Sequence, residues 1–338
     1  MQVNASELPG HIKDTLEARL VPMIHGSPAI GKSNIVAQVA AEYNLKMIDV
    51  RLSQSDPTDL NGFPKTTGDK ATYIPMDTFP IEGDPIPAGY DGWLIFLDEL
   101  NSAPMSVQAA AYKLILDRQV GQHNLHPNVA IVGAGNLQTD KAIVNRMSTA
   151  MQSRMAHFEL IVEAKAWQKW AAKAGIDHRI ISFIGFKPEI LYKFDPNHNG
   201  FTYPSPRTWE FMSDLIKKYD KEIPSNKIPL LAAVVDEAAA REFYTYAQIF
   251  ETLITVAQIV RDPLGITVPS EPSIQYALSG SIGQNMNQGN AKELMQFLER
   301  LGIEFQILCL QQALQINKDL IKLPDIKKWV TTNSKDLF

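Results

Sequence analysis

Eight consecutive residues carry the clearest chemistry in this chain: Gly26, Ser27, Pro28, Ala29, Ile30, Gly31, Lys32 and Ser33. They fit the pattern of a glycine, four variable residues, a second glycine, then lysine and serine. Glycines let the backbone curl so that successive N–H groups point at phosphate oxygens. Lys32 can place its ammonium between β- and γ-phosphates, and the Ser33 hydroxyl can ligate Mg2+. Asn34 opens the helical pattern Asn34–Tyr43, whose positive N-terminal end faces the same anion. A second set follows at Asp98 and Glu99. Asp98 suits a Mg2+ ligand, direct or through water, and Glu99 suits a base that orients or deprotonates an attacking water. Together they read as a site for Mg·ATP, held at Ser27–Asn34 with Gly26.

These residues need elements to position them. Short apolar runs occur at Val21–Ile24, Met47–Leu52, Trp93–Leu97, Val129–Val132 and Ala156–Ile161. Each is four to six residues long, and helical patterns or long loops separate them. That alternation predicts a mostly parallel sheet covered on both faces. Val21–Ile24 leads into the glycine loop, and Trp93–Leu97 ends in the two acids, at the strand end where open α/β sheets bind ligands. After about residue 162 the pattern turns helical, as in Glu163–Ala174, Arg207–Lys218, Ile228–Phe250 and Asn290–Ile316. The expected fold is α/β: a three-layer αβα parallel sheet of the P-loop NTPase kind over residues 1–162. A helical lid over 163–262 and a helical C-terminal extension over 263–338 would follow.

Composition narrows the classes. The chain has 338 residues, too many for one small core. Hydrophobic residues make up 45% and charged residues 20%, which excludes wholesale disorder. Net charge is −5, and no stretch interleaves basic and aromatic residues, so nucleic acid is not the expected partner. Cys309 is the one cysteine, which excludes an internal disulfide or a cysteine-based zinc site. It falls in the apolar run Ile303–Leu310 and is expected to be buried. No run approaches 18 apolar residues, so a soluble, cytoplasmic protein without a membrane span is expected. His123 and His126 lack a third ligand nearby and read as loop residues. His25, in the strand before the loop, reads as packed or hydrogen-bonded. Trp167 and Trp170 read as core of the lid.

The chain resembles an AAA+ ATPase, and more narrowly the MoxR-like group. The residues that carry this are Gly26–Ser33, Asp98-Glu99-Leu100-Asn101-Ser102-Ala103-Pro104, Gly135-Asn136 and Ser205-Pro206-Arg207-Thr208-Trp209. The stretch from Arg51 to Gly62 is similar to the segment after the second strand in that group. The likeness extends over about residues 20–215. It implies that Asn136 is a first sensor reading the γ-phosphate, and that Arg207 is a second sensor carried on the lid. It implies that Arg154, with Arg146 as the alternative, is the arginine finger given to a neighbouring subunit. Such a finger stabilises charge on the transferring phosphoryl group. Two inserts, between Leu52 and Trp93 and between Asp117 and Val129, resemble hairpins of that group, the first facing a ring pore.

The resemblance further implies a homo-oligomeric ring, a hexamer, that hydrolyses ATP with Mg2+ to remodel or chaperone a protein client. It implies a partner with a von Willebrand factor A domain. Two rival readings stand beside it. A DNA-directed ATPase, helicase or clamp-loader-like, would be stimulated by DNA. An ATP-gated assembly scaffold would assemble without needing turnover.

Overall fold

The computed structural model describes residues 1–338 apart from 141–144, 146, 220–221 and 334–338. The chain divides into two compact units, Met1–Val162 and Glu163–Phe338.

The first unit runs β1 Gln2–Val3, α1 Leu8–Glu17, β2 Val21–His25, α2 Lys32–Glu42, β3 Leu45–Arg51, α3 Pro57–Asn61, β4 Phe63–Thr67, β5 Lys70–Ile74 and β6 Gly92–Asp98. It continues with α4 Met105–Leu116, β7 Gln119–Val120, β8 His123–Asn124, β9 Val129–Gly135, α5 Thr149–Gln152 and β10 Met155–Leu160. Six strands form one sheet in the order β1-β10-β2-β9-β6-β3. Every neighbouring pair is parallel. The apolar runs explain this: β6 is buried from Gly92 to Leu97, as a central strand covered on both faces must be. Its alternate residues Trp93, Ile95 and Leu97 share one core with Val107, Ala111 and Leu114 of α4. Leu94 and Phe96, fully buried, point to the opposite face, where α1 and α2 pack together. Each such side chain contributes about 1.5–3 kcal/mol by leaving water.

The five expected strands are all present, with ends shifted by no more than three residues. β1 is an addition at the sheet edge. Both inserts form antiparallel hairpins, β4–β5 and β7–β8. His123 joins them, its Nε2 lying 3.0 Å from the Tyr73 carbonyl. His126 accepts a hydrogen bond from the Asn128 N–H on Nδ1 and sets its ring edge-on to Trp93.

The second unit is helical: α6 Ala164–Lys173, α7 His178–Phe186, α8 Pro206–Ile216, α9 Ile228–Val235, α10 Glu237–Thr252, α11 Val256–Arg261, α12 Pro272–Asn285, α13 Ala291–Leu298, α14 Ile303–Ile316 and α15 Pro324–Thr332. The span expected as one helix from Ile228 to Phe250 is two. Asp236, at φ +123°, breaks it, and its carboxylate caps α10 by accepting from Ala239 N at 2.7 Å. Asn290–Ile316 is also two helices, parted at Leu301-Gly302. Trp167 is buried as expected, whereas Trp170 is only half-buried. Cys309 is fully buried among Leu278, Leu294, Phe297 and Leu310. No helix among the described residues is long and apolar enough to cross a membrane.

Candidate functional site

β2 delivers the chain to Gly26, whose N–H donates to the Gly135 carbonyl at 3.2 Å. Ala29 (φ +63°) and Gly31 (φ +98°) adopt left-handed backbone, which costs nothing at glycine and stores strain at alanine. Residues of that conformation among right-handed ones turn N–H groups into one concavity, the shape that binds anions. α2 starts at Lys32, and no side chain caps its N-terminus. Its first N–H groups and dipole therefore face the loop. Ile30 is buried and anchors the loop, Ser27 and Pro28 are half-buried, and Asn34 is exposed on the first turn of α2.

Lys32 is only 9% exposed and folds back over the loop. Its Nζ donates to the carbonyls of Gly26 at 2.6 Å and Ser27 at 3.0 Å, and to Asn136 Oδ1 at 3.3 Å. The Ser33 hydroxyl donates to Asp98 Oδ2 at 3.4 Å. Asp98 Oδ1 accepts from the Glu99 N–H at 2.8 Å. Sheet order explains the meeting. β9 lies between β2 and β6, so Asn136, just past the end of β9, stands between the loop lysine and the acids ending β6. Glu99 has a positive φ of 55°, uncommon for a residue with a side chain. That turn carries its carboxylate away from the strand direction, where it accepts from the Ser53 hydroxyl.

Three participants were not singled out from sequence. Ser53 follows β3 in a single 3-10 turn, Leu52–Gln54, and the pairing Arg51↔Asp98 brings it beside Glu99. Asn101 is buried and holds Asn136 by its backbone. Asp140 accepts from the Ser27 hydroxyl at 3.1 Å. Ser53 does lie within the Arg51–Gly62 stretch, although the strand register that sets it beside Glu99 has no local signature. Asn101 does lie within the Asp98–Pro104 motif.

Two ionisable groups nearby are displaced. Burial holds the Asp49 carboxyl above its ordinary range, with Asp98 and Glu99 pushing the same way and Arg51 opposing. Burial likewise lowers His25 to about 4, and His157 and Lys32 add to the effect while Glu159 opposes. His25 Nε2 lies 2.9 Å from His157 Nδ1, and His157 Nε2 lies 2.8 Å from the Gln152 carbonyl. Only a protonated His157 Nε2 can donate to that carbonyl. With both imidazoles neutral, His157 Nδ1 is then the acceptor and His25 Nε2–H the donor.

Arg154 is exposed, and its Nη1 donates to the Tyr112 hydroxyl at 3.2 Å and the Ala150 carbonyl at 3.0 Å. It makes no hydrogen bond to the residues gathered around Lys32. Arg146 lies outside the described residues. Arg207 belongs to the second unit, exposed in the first turn of α8, where Ser205 and Thr208 form a capping box.

The residues present fit a nucleoside triphosphate and a hard cation. The loop offers N–H groups and a buried ammonium to phosphate oxygens, while Ser33 and Asp98 offer a hydroxyl and a carboxylate, the oxygen donors Mg2+ prefers. The parallel order β10-β2-β9-β6-β3, with the glycine loop after β2 and the acids after β6, defines a three-layer αβα fold of the P-loop NTPase kind. No family model matches the chain, and no curated protein matches it. Among solved structures it is similar to two single-substitution mutants of RuvB from Thermotoga maritima. Each is 15% identical with a TM-score of 0.39; one match covers 82% of both chains, the other 82% of this chain and 80% of that one. It is also similar to the Thermotoga maritima RuvB Holliday junction branch migration motor, at 15% identity and a TM-score of 0.38 over 88% of this chain and 86% of that one. Likeness at that level carries no argument about activity, which must come from the site.

Proposed function

We propose that this protein is a Mg2+-dependent ATPase that works as an oligomeric motor. The observation that carries the reading is one cluster: Lys32 Nζ within 3.3 Å of Asn136 Oδ1, and Ser33 Oγ within 3.4 Å of Asp98. Residues 104 and 65 positions apart in sequence meet at the strand ends where a triphosphate would lie. Lys32 would exchange the Gly26 and Ser27 carbonyls for phosphate oxygens. The loop N–H groups and the start of α2 would hold the rest of the anion. Ser33 and Asp98 would hold Mg2+, which when bound neutralises phosphate charge. Glu99 would accept the proton of the attacking water, and the amide of Asn136 would contact the γ-phosphate. Arg207 is assigned the second sensor role and Arg154 the finger acting on a neighbour, both from motif position. Exposure of Arg154 is consistent with a role outside its own subunit.

In this reading the chain forms a ring, a hexamer, and its client is a protein, since net charge is −5 and no basic aromatic stripe is present. The MoxR-like placement and a von Willebrand factor A partner rest on the sequence motifs alone. The test is paired. Lys32→Ala should abolish ATP binding, because the loop loses its cation. Glu99→Gln should bind ATP and lose turnover, because an amide accepts no proton. Turnover by Glu99→Gln at the parent rate would refute the mechanism. Assembly that needs ATP but survives Glu99→Gln intact, with full biological activity, would favour a scaffold. Strong stimulation of hydrolysis by DNA would move the client to nucleic acid.

A further inference from the structure

β6 leaves its pairing with β9 early, while Asp98 still pairs with Arg51 of β3. Its last pair with β9 is Leu97↔Gly133, after which Asp98 and Glu99 turn toward the site. β9 runs on, paired only with β2, through His25↔Gly135. On the side that β6 has vacated, the backbone of Asn136 would have no strand partner. The side chain of Asn101 fills that place. Its Nδ2 donates to the Asn136 carbonyl at 2.7 Å, and its Oδ1 accepts from the Asn136 N–H at 3.0 Å. One carboxamide thus satisfies both backbone groups of one residue, as a neighbouring strand would.

The clamp is tightly enclosed. Asn101 is 5% exposed. A Cβ at position 135 would stand 2.2 Å from Asn101 Oδ1, so the clamp requires glycine there. Asn101 is itself held, because its carbonyl accepts from Asn145 N at 2.6 Å and the Asn145 amide donates to the Ala103 carbonyl at 2.8 Å. Past this clamp the side chain of Asn136 reaches Lys32 Nζ at 3.3 Å.

We infer that Asn101 is the positioning residue of this site: it fixes the backbone of Asn136, and so aims the Asn136 carboxamide at the bound triphosphate. This rests on the proposed ATPase reading. Asn101 touches no nucleotide in this account and acts through Asn136 alone. The carboxamide is specific to the task. Alanine supplies neither bond. Aspartate keeps an acceptor for the Asn136 N–H but sets a carboxylate against the Asn136 carbonyl.

The experiment is a double-mutant cycle in hydrolysis, with ADP affinity and thermal unfolding measured on every variant. Asn101→Ala should lower kcat about tenfold while ADP affinity stays within about twofold, because the loop and α2 are untouched. Asn101→Asp, of the same size, should show the same split and guards against a folding defect in the alanine variant. Asn136→Ala should lower kcat at least as much. In the Asn136→Ala background, Asn101→Ala should cost nothing more, since the group it aims is gone. A purely structural role would instead multiply the two losses and lower ADP affinity in parallel, and would overturn the inference. So would parent-level kcat in both Asn101→Ala and Asn101→Asp. A parent protein that binds ATP and never hydrolyses it would overturn the proposed function first, and is distinguishable because it needs no variant.

Discussion

The depressed His25 makes acid a selective probe of the strand that carries the phosphate loop. In the unfolded chain this imidazole has its ordinary value near 6.5, and in the folded protein it is lowered to about 4. The folded state therefore refuses a proton that the unfolded state accepts. Stability is fully present above pH 6.5, falls as pH drops through that value, and stops falling below about 4. The span from 6.5 to about 4, at ~1.36 kcal/mol per pH unit, gives an upper bound of about 3 kcal/mol. By pH 4.5, short of the folded value, most of that has been lost, roughly 2–2.5 kcal/mol. A His25→Gln variant lacks the titration. The stability difference between parent and variant should then shrink by about 2 kcal/mol between pH 7.5 and pH 4.5. With a urea slope of ~2 kcal/mol per M, the relative midpoint moves by about 1 M. Urea unfolding, followed at the β2 peptide by hydrogen exchange and mass spectrometry, reads this directly. An NMR titration of the native His25 ring should place its midpoint near 4. A native His25 titrating near 6.5, or a His25→Gln variant with the same acid dependence as the parent, would refute the reasoning.

Other perturbations separate the roles assigned above. Ser53→Ala removes the hydroxyl that the Glu99 carboxylate accepts from, a bond to a charged group worth about 1.5–3 kcal/mol, so turnover should fall by about tenfold with ATP affinity unchanged. Parallel loss of affinity would place Ser53 in binding instead. Arg154→Ala should lower turnover by ~10³, yet regain hydrolysis when mixed with Glu99→Gln subunits, whose fingers are intact. Mixed oligomers that stay inactive would remove Arg154 from the neighbour's site. Burial pushes the Cys309 thiol far above its usual range, so it should resist thiol reagents in the native protein and react at once in denaturant. Fast native labelling would contradict the packing of α14.

Much of this molecule is legible locally. Apolar runs located β2 and β6 because each is buried in all but its last residue, and Gly26–Ser33 and Asp98-Glu99 are contiguous enough to read as one motif each. β1 is two residues long and has no periodicity to detect. The break at Asp236 was hidden because aspartate is not a strong helix breaker, and its positive φ is imposed by the chain turning between α9 and α10. Gly302, just before α14, is the local mark of the second break. The site divides in the same way. Lys32, Ser33, Asp98 and Asn136 stand at strand ends and helix starts, where residue type announces the chemistry. Ser53 acquires its partner only through the β3–β6 register.

The parallel sheet also sets a timetable for the nascent chain. β2, which carries the phosphate loop, pairs with β9 through Met23↔Gly133 and with β10 through Met155↔Val21. Both neighbours are made more than a hundred residues after it. β1 waits longer still, since Gln2 meets Glu159. No hairpin can hold the loop strand in the meantime, because parallel strands need crossovers, and contacts this distant in sequence form late. The loop is thus synthesised early and assembled late. Ribosome-arrested chains that end before β9 should fail to retain ATP, whereas chains with residues 1–162 fully emerged should bind it; ATP retention by the shorter chains would contradict this order.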